Sequence, residues 1–330
     1  EFEKFTGVTN LAYDAFMNCT ALLSIVFPKN LAGTSYMNNN YGSFRGCTRL
    51  KKVVLNVDFT KIPACTFQNC SNLLDINLED AKITEIGGRA FMGANLQDKE
   101  IELPYLISLG SIAFYRTNIK KVLNLGSITT IGGSENWDGS LNRGTFHECV
   151  NLEEVILPQS TQSIPIATFY GCTALSKCNI PQGVTTIGST AFYNCTFLEI
   201  EDLQLPNLVT LGQNAFYGVK VKKISDLGKI TSIPNGSSDI GMFTSCLDLT
   251  SVTLPDTLTN IGHFSFYKCS NLTQINIPNS VTTIGSGAFR DCTALASVKY
   301  EGESLAIVSH AFRGTTNLTE FIGMEKITSL

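Results

Sequence analysis

The chain has 330 residues, which is longer than the roughly 250–300 at which a single globular core stops growing. Its net charge is −4 and only 16% of its residues are charged, so charge-driven binding to nucleic acid or to an anionic membrane is disfavoured. An apolar content of 43% argues against a disordered chain, and no stretch approaches the ~18 consecutive apolar residues of a membrane span.

A phenylalanine repeat organises the whole chain, with a basic spacing of 23 residues. The coil that begins at Phe169 shows the full pattern, F-Y-G-C-T-A-L-S-K-C-N-I-P-Q-G-V-T-T-I-G-S-T-A-F. Counted from the phenylalanine, apolar residues lie at +6, +9, +11, +15 and +18, a cysteine usually lies at +3, and a proline often lies at +12. The thirteen repeating phenylalanines are Phe16, Phe44, Phe67, Phe91, Phe114, Phe146, Phe169, Phe192, Phe216, Phe243, Phe266, Phe289 and Phe312.

The elements of one coil follow from this pattern in chain order. The F-x-x-C-x-x-L run places three apolar residues three apart, which predicts a short helical or 3-10 turn with one apolar face. The alternation around +9 and +11 predicts a strand with one buried face, and the proline at +12 ends it because proline cannot donate to a parallel ladder. The V-T-T-I-G run predicts a second β-like segment, whose glycine permits a turn.

Stacking of the coils determines the predicted fold. A 23-residue coil cannot bury its own apolar face, whereas stacked coils share one continuous core. We therefore predict a β-rich solenoid, a leucine-rich repeat arc of about thirteen coils with a parallel β-sheet on one face. At the ~4.8 Å spacing of neighbouring strands, the arc would be roughly 60 Å long. No linker interrupts the pattern, so we expect residues 1–330 to form a single domain.

The repeats resemble the BspA-like class of bacterial leucine-rich repeats. The segment I-P-N-S-V-T-T-I-G-S-G-A-F-R-D-C-T-A-L, at residues 277–295, carries the resemblance, and its Pro, Val, Ile-Gly, Ala-Phe, Cys and Leu recur in register along nearly the whole chain. The resemblance implies a secreted or cell-surface bacterial protein that engages host or microbial macromolecules. It implies no enzymatic activity, and it does not identify a ligand.

A longer period lies on top of the 23-residue repeat. The three long intervals between phenylalanines follow coils 1, 5 and 9, so every fourth coil carries an insertion. Coil 4, with I-E-L-P-Y-L-I-S-L-G from Ile101, also mirrors coil 8, with L-Q-L-P-N-L-V-T-L-G from Leu203, 102 residues later. We interpret this as duplication of a four-coil block of about 100 residues.

Catalytic and metal-binding patterns are not found in the sequence. Nine of the eleven cysteines occupy the +3 position, where we expect reduced, buried, apolar side chains rather than disulfides or metal ligands. A dyad of His147 and Cys149 is an alternative, but +1 and +3 lie on different faces of a turn. No G-x-S-x-G, P-loop, H-E-x-x-H or EF-hand motif occurs. We expect no catalytic residue, no metal and no cofactor.

The outward positions of the predicted strands carry charges that largely alternate in sign from coil to coil. Across a ladder such residues are close enough to pair, which predicts a self-neutralised polar sheet; a cation site at Asp75, Glu100 and Glu102 is the alternative. Coils 10 to 12 differ, because their outward residues hydrogen-bond but carry little charge. These are Ser251, Thr253, Gln274, Asn276, Ser297 and Lys299.

Aromatic residues in the insertions are the first candidates for partner binding. Tyr36 and Tyr41 lie in the first insertion and Trp137, the only tryptophan, lies in the second. All three insertions enter between the I-G turn and the next phenylalanine, so we expect them to share one flank, where loops on a rigid scaffold bind partners. Gln274 and Asn276 on the low-charge strands are the competing site.

Three functions are compatible with these features. The leading hypothesis is a monomeric, non-enzymatic protein at the cell surface or secreted, which binds a host or microbial protein or glycan in an adhesion-type role. The second is a purely structural spacer that displays another domain, and an enzyme is a distant third. No apolar h-region follows Glu1, so we expect this chain to contain no signal peptide or anchor, no membrane-inserting segment and no nucleic-acid site.

Overall fold

The computed structural model describes residues 7–12, 14–28, 31, 33–34, 42–133 and 142–329. The chain divides into two compact units, residues 1–161 with 167–179 and residues 162–166 with 180–330. Within the described ranges, no helix has the length and apolar character needed to cross a lipid bilayer. The one helix in these ranges is a 3-10 helix, Met324–Lys326.

The predicted solenoid is confirmed. Along the described chain, a longer first strand recurs in each coil at about +7 to +10, marking about twelve complete turns, and it pairs in parallel with its neighbours. Its members are β2 (Ser24–Val26), β4 (Lys52–Val54), β6 (Asp75–Ile76), β8 (Glu100–Glu102), β10 (Lys121–Asn124), β11 (Glu154–Ile156), β13 (Lys177–Asn179), β16 (Leu203–Gln204), β19 (Lys223–Asp226), β21 (Ser251–Val252), β23 (Gln274–Ile277), β25 (Ser297–Tyr300) and β27 (Glu320–Ile322).

The predicted second β-segment forms a shorter second strand, usually of two residues, as in V-T-T-I-G. Its members are β1 (Asn10–Leu11), β3 (Gly33–Thr34), β5 (Lys61–Ile62), β7 (Glu85–Ile86), β9 (Ser108–Leu109), β12 (Ser163–Ile164), β14 (Thr186–Ile187), β17 (Thr210–Leu211), β20 (Ser232–Ile233), β22 (Asn260–Ile261), β24 (Thr283–Ile284), β26 (Leu305–Ile307) and β28 (Ile327–Ser329). The second unit has one additional pair of parallel strands, β15 (Glu199–Ile200) and β18 (Lys220–Val221), which belongs to neither series.

Consecutive turns surround each repeating phenylalanine. In the coil of Phe192, the Cys195 N–H donates to the Phe192 carbonyl at 3.1 Å and the Leu198 N–H to the Cys195 carbonyl at 3.0 Å. The residues two before and two after Phe192, Thr190 and Asn194, have left-handed φ values of 55° and 62°. A left-handed residue ends a right-handed helix, and for this reason the predicted short helical stretch closes as tight turns.

The core of the first unit is a stack of phenylalanine rings. Ring centroids from Phe16 to Phe169 follow each other at 5.2–5.7 Å with nearly parallel planes. First strands form the sheets β2-β4-β6 and β8-β10-β11-β13, and second strands form β5-β7-β9 and β1-β3. One side chain from each coil therefore repeats at the spacing of the strands, which is the packing that the 23-residue period predicts.

The second unit is built in the same way. The rings from Phe192 to Phe312 stack at 5.3–5.7 Å. First strands form β16-β19-β21 and β23-β25-β27, and second strands form β12-β14-β17 and the five-stranded β20-β22-β24-β26-β28. The first-strand ladder is therefore interrupted between β21 and β23, a break that positions the cleft described below.

The +3 cysteines form a second column. As expected, they are not in disulfides, and all of them except Cys19 are buried. All eleven thiols are free, and in the first unit the Cys149 Sγ donates to the carbonyl of Phe114 in the preceding coil at 3.0 Å. In the second unit Cys292 does the same to Phe266, also at 3.0 Å. The expectation was wrong for Cys19, which is exposed, because in the described chain only the following coil packs on it.

Candidate functional site

The first strands of the first unit carry paired charges, as predicted. Lys52 opposes Asp75 in the ladder and their side chains meet at 2.9 Å. Lys121 opposes Glu100 at 2.7 Å, and Lys99 approaches Asp75 at 3.7 Å. These carboxylates are already neutralised by lysine neighbours, and among the described residues no group of His, Cys, Asp and Glu is arranged to hold a metal ion.

In the second unit, the coils of β21, β23 and β25 present a different surface, which we call the neutral strip: Ser251, Thr253, Gln274, Asn276 and Ser297. Gln274 and Asn276 are exposed on β23, where they oppose Ser297 and Lys299 of β25. Lys299 is paired with Glu301 of its own coil at 2.9 Å. The strip therefore offers amide and hydroxyl groups to solvent with little net charge.

A cleft of about 160 Å³ lies at the end of this strip, where β21 and β23 fail to pair. Apolar side chains of Val252, Leu254 and Ile277 contribute to its walls. Its other lining residues are Thr253, Asp256, Asn276 and Pro278. The cleft thus combines an apolar surface with one carboxylate, one amide and one hydroxyl, and it contains the predicted site residue Asn276.

The aromatic site residues predicted in the insertions, Tyr36, Tyr41 and Trp137, lie outside the described residues. The third insertion is described and forms a tight closed loop. Ser238 and Asp239 have left-handed φ values of 53° and 64°. Ser237 and Ile240 form an isolated antiparallel β-bridge. Asp239 pairs with Arg290 at 3.3 Å. This insertion is therefore held against the solenoid by an ion pair.

The +1 positions form a stripe beside the phenylalanine core that is more deeply buried than the sequence suggests. Tyr115 and Tyr267 are only 4% and 6% exposed. The ring of His147 stacks on Tyr170 at 4.5 Å and meets Tyr115 edge-on at 5.5 Å. The repeat pattern does not reveal this burial, because residues outside the +1 position also cover the stripe; Arg143, for example, lies 5.7 Å over the Tyr115 ring.

The geometry around Cys149 does not favour a nucleophilic dyad with His147. Burial raises the pKa of the Cys149 thiol to about 11, whereas a nucleophilic cysteine needs a lowered pKa. Burial also lowers the pKa of His147 to about 4. The thiol donates to the Phe114 carbonyl, and the His147 ring lies in the aromatic stripe. Each residue is thus accounted for by packing.

Comparison with known proteins yields one family and several structures. A family model described as a BspA type leucine rich repeat region, in six copies, matches residues 9–135, 139–238 and 231–330. No match was found among curated protein sequences.

Three of the similar solved structures are bacterial leucine-rich repeat proteins. A leucine-rich repeat protein from Bacteroides ovatus is 24% identical, with 98% of this chain and 88% of that chain covered and a TM-score of 0.61. One from Eubacterium ventriosum is 20% identical, with 91% and 84% covered and a TM-score of 0.54. A leucine rich cell surface protein from Faecalibacterium prausnitzii is 22% identical, with 97% and 83% covered and a TM-score of 0.47. The first two similarities support the solenoid fold.

Proposed function

We propose, because this chain belongs to the BspA-type leucine-rich repeat family, that it is a non-enzymatic interaction protein. Its partner is a protein or glycan on a host or microbial surface, and the protein acts as a monomer in adhesion. Secretion or display at the cell surface is what the family resemblance implies. The described part of the chain adds a surface suited to this role.

The neutral strip is the observation that carries the proposal. In the first unit, outward lysines and carboxylates are paired with one another, as with Lys121 and Glu100. On the strip, Gln274 and Asn276 are exposed side chains on a regular ladder. Polar groups that are held in place by a rigid sheet and still face water can exchange water for a partner at low entropic cost. This favours recognition over a purely structural role.

The two alternative functions, a structural spacer and an enzyme, predict different properties of the protein. A spacer needs only a stable solenoid and would bind nothing through the strip. An enzyme needs a titratable group with a tuned pKa that faces a substrate. Two histidines in the described chain serve other contacts: His147 stacks in the aromatic stripe, and His263 Nδ1 accepts the Ser286 N–H at 2.7 Å.

The proposal is tested with the full chain immobilised for interferometry against two panels, purified extracellular-matrix proteins and purified mucin or plant polysaccharides. We expect saturable binding to at least one member. The double variant Gln274→Ala, Asn276→Ala should then weaken binding by at least about tenfold. Absence of binding to every member of both panels would contradict the proposal and favour the spacer.

A second variant separates the two candidate surfaces. Trp137→Ala removes the aromatic anchor that we predict in the second insertion. Loss of affinity in this variant, with the strip variant unchanged, would assign binding to the insertion flank together with Tyr36 and Tyr41. Loss in the strip variant alone would assign binding to the sheet. Lys177→Ala, on the charged first strand β13, is the control and should bind like the unaltered chain.

A further inference from the structure

An asparagine at +10 closes the first-strand ladder in two coils. In coil 3, the Asn77 Oδ1 accepts the Leu55 N–H of the preceding coil at 2.7 Å, and its Nδ2 donates to the Leu55 carbonyl at 3.1 Å. In coil 7, Asn179 makes the same two bonds with Leu157, at 2.7 and 2.9 Å. The side-chain amide thus extends the strand pairing by one residue beyond the ladder and leaves no backbone group of that leucine unpaired.

Asn276 occupies the same position in coil 11, four coils after Asn179, but it does not close the ladder. Its strand β23 pairs with β25 on one side, while β21 belongs to another sheet. In the described chain, neither the Asn276 amide nor the N–H of Leu254, the counterpart of Leu157, has a hydrogen-bond partner within the protein. Both residues line the cleft instead.

The cleft therefore holds an amide and a leucine N–H whose counterparts in coils 3 and 7 are bonded to each other. The Leu254 N–H is a donor on a residue only 6% exposed, and the Asn276 amide both donates and accepts. The Asp256 carboxylate accepts, and Thr253 adds a hydroxyl. An unpaired backbone N–H in a nearly buried residue is costly, so a ligand that accepts this bond gains more than it would at an open surface.

We propose that this cleft binds one uncharged sugar ring of a glycan, which rests on the proposed function and specifies its ligand. A carboxylate and an amide in one cleft can bind the hydroxyl groups of a hexose, and Val252, Ile277 and Pro278, which also line the cleft, supply apolar contact for its ring carbons. No lysine or arginine lines the cleft, and the carboxylate of Asp256 repels anionic sugars. The volume of about 160 Å³ is below that of sites for drug-sized ligands and suits one ring.

A peptide strand is the less favoured occupant. Strand addition requires an open row of backbone donors and acceptors along a sheet edge. Here the free edges of β21 and β23 face each other across the cleft, so an inserted strand would need to separate two coils of the same core. The polar groups are also concentrated at one point rather than repeated along the strand.

The test uses saturation-transfer NMR and calorimetric titration of the full chain with methyl glycosides of glucose, galactose and mannose and with N-acetylglucosamine. At least one of these sugars should receive saturation and titrate as a single site. Asn276→Ala and Asp256→Asn should each lower its affinity by at least about tenfold. Glu320→Gln, at an exposed position of first strand β27 outside the cleft and the neutral strip, should stay within about twofold of the unaltered chain.

The outcomes separate this proposal from the function on which it rests. If no sugar binds, or if Asn276→Ala and Asp256→Asn bind as well as the unaltered chain, the sugar cleft is overturned, whereas binding to the macromolecular panels would still stand. Binding of an extended peptide, in place of every sugar, would also overturn it. Because Asn276 and Asp256 are exposed, both variants should keep the melting temperature of the unaltered chain, which a thermal melt verifies.

Discussion

At the residue scale, the +3 cysteine combines a small apolar side chain with a weak donor. Its Sγ fills the space beside the phenylalanine stack and its S–H donates to a phenylalanine carbonyl one coil earlier, as between Cys70 and Phe44 at 3.2 Å. Alanine would leave the carbonyl with one bond fewer. Burial raises the pKa of Cys70 to about 12, so this position provides packing without a reactive thiolate.

Thiol accessibility tests this arrangement. Cys19 is exposed and Cys178 is half-buried, whereas the other nine cysteines are buried. With a disulfide-exchange reagent at neutral pH, we expect one fast-reacting thiol in the native protein and eleven after denaturation without reductant. Cys19→Ser should remove the fast phase, while Cys292→Ser should leave it unchanged. A native count near eleven, or a denatured count near zero, would contradict the buried and reduced column.

His147 makes stability depend on pH. Burial is the main cause that lowers its folded pKa to about 4, from an ordinary 6.5; the nearby Glu148 opposes this, and Arg143 and Arg116 reinforce it. The folded state therefore favours the neutral ring. The corresponding stability is present above about pH 6.5 and is lost as the pH falls from there through about 4, because the unfolded chain binds the proton first.

Denaturant unfolding at about pH 7 and about pH 4.5 checks this dependence. From the difference in pKa, His147 should account for a loss of about 2–3 kcal/mol in the free energy of unfolding between these conditions. His147→Phe keeps a ring for Tyr170 to stack on but cannot titrate, so its loss should be smaller by that amount. His310→Ala, at an exposed position, should behave like the unaltered chain. An equal loss in His147→Phe and the unaltered chain would refute the assignment.

At the element scale, both the phenylalanine stack and the backbone hydrogen bonds between strands hold the coils together. The backbone ladders set the spacing between coils, and one ring per coil fills the centre at that spacing, as with Phe192 and Phe216 at 5.4 Å. Because each ring contacts its counterparts in adjacent coils, removing one leaves a cavity that the rigid ladder cannot close.

The substitution Phe192→Ala measures how much one ring of the phenylalanine stack contributes to the free energy of unfolding. Phe192 is fully buried, so we expect a loss of about 3–5 kcal/mol in the free energy of unfolding by urea. Its neighbour Tyr193 is half-buried and stacks in the stripe, with Tyr217 at 4.6 Å. Tyr193→Ala should cost about 1 kcal/mol. Similar losses in the two variants would mean that the inward face of the coil is misassigned.

The asparagines at +10 provide a second test at this scale, of how much their side-chain bonds to the preceding coil stabilise the fold. Asn77→Ala leaves both the N–H and the carbonyl of Leu55 without their partner, and Leu55 is 2% exposed. We expect a loss of about 1–3 kcal/mol. Asn276→Ala, which breaks no bond within the protein, should change the free energy of unfolding by less than about 0.5 kcal/mol. If the two substitutions were equally costly, Asn276 would be a structural residue and the cleft would be closed in solution.

At the scale of the whole molecule, the first strands differ in their chemistry. Paired charges extend into the second unit, where Lys223 of β19 meets Asp202 at 3.5 Å, whereas β21, β23 and β25 carry the neutral strip. The first unit pairs lysines with carboxylates, and exposed pairs of this kind contribute about 0–1 kcal/mol each. The second unit carries the neutral strip and its cleft. A net charge of −4 adds little long-range attraction for any partner. Recognition should therefore depend on short-range hydrogen bonds and apolar contact.

Salt dependence of partner binding distinguishes these surfaces. If the neutral strip binds the partner, the affinity in interferometry should change by less than about twofold between about 50 and about 500 mM NaCl, because screening acts on charges. A partner held by the paired lysines and carboxylates would lose much more affinity over this range. A steep salt dependence would therefore argue against the strip, and Lys121→Ala would then be the variant to examine.

Several features of the fold and site could be predicted from the sequence. The Phe192 and Cys195 positions repeat at 23 residues, and this identifies the inward face. The pairing of Lys52 with Asp75 follows from the same register, because residues at one position of successive coils become neighbours. Gln274 and Asn276 were placed on an exposed low-charge strand for the same reason.

Other features could not be predicted, because they depend on how one coil meets the next. Asn77 and Asn276 occupy equivalent positions, yet only the first reaches the preceding leucine, since the ladder breaks differently at the two places. The burial of His147 depends on rings contributed by two other coils.

The sequence by itself therefore determined the repeat length, the inward residues and the positions of the strands, because these follow from local alternation and from a period written in the chain. Only the tertiary structure decided where the ladders break, which amide stays free and which titratable group is buried. Those outcomes depend on how successive coils meet, which the period does not specify. Leu55 and Asn77 are as far apart in the sequence as Leu254 and Asn276, yet only the first pair is hydrogen-bonded.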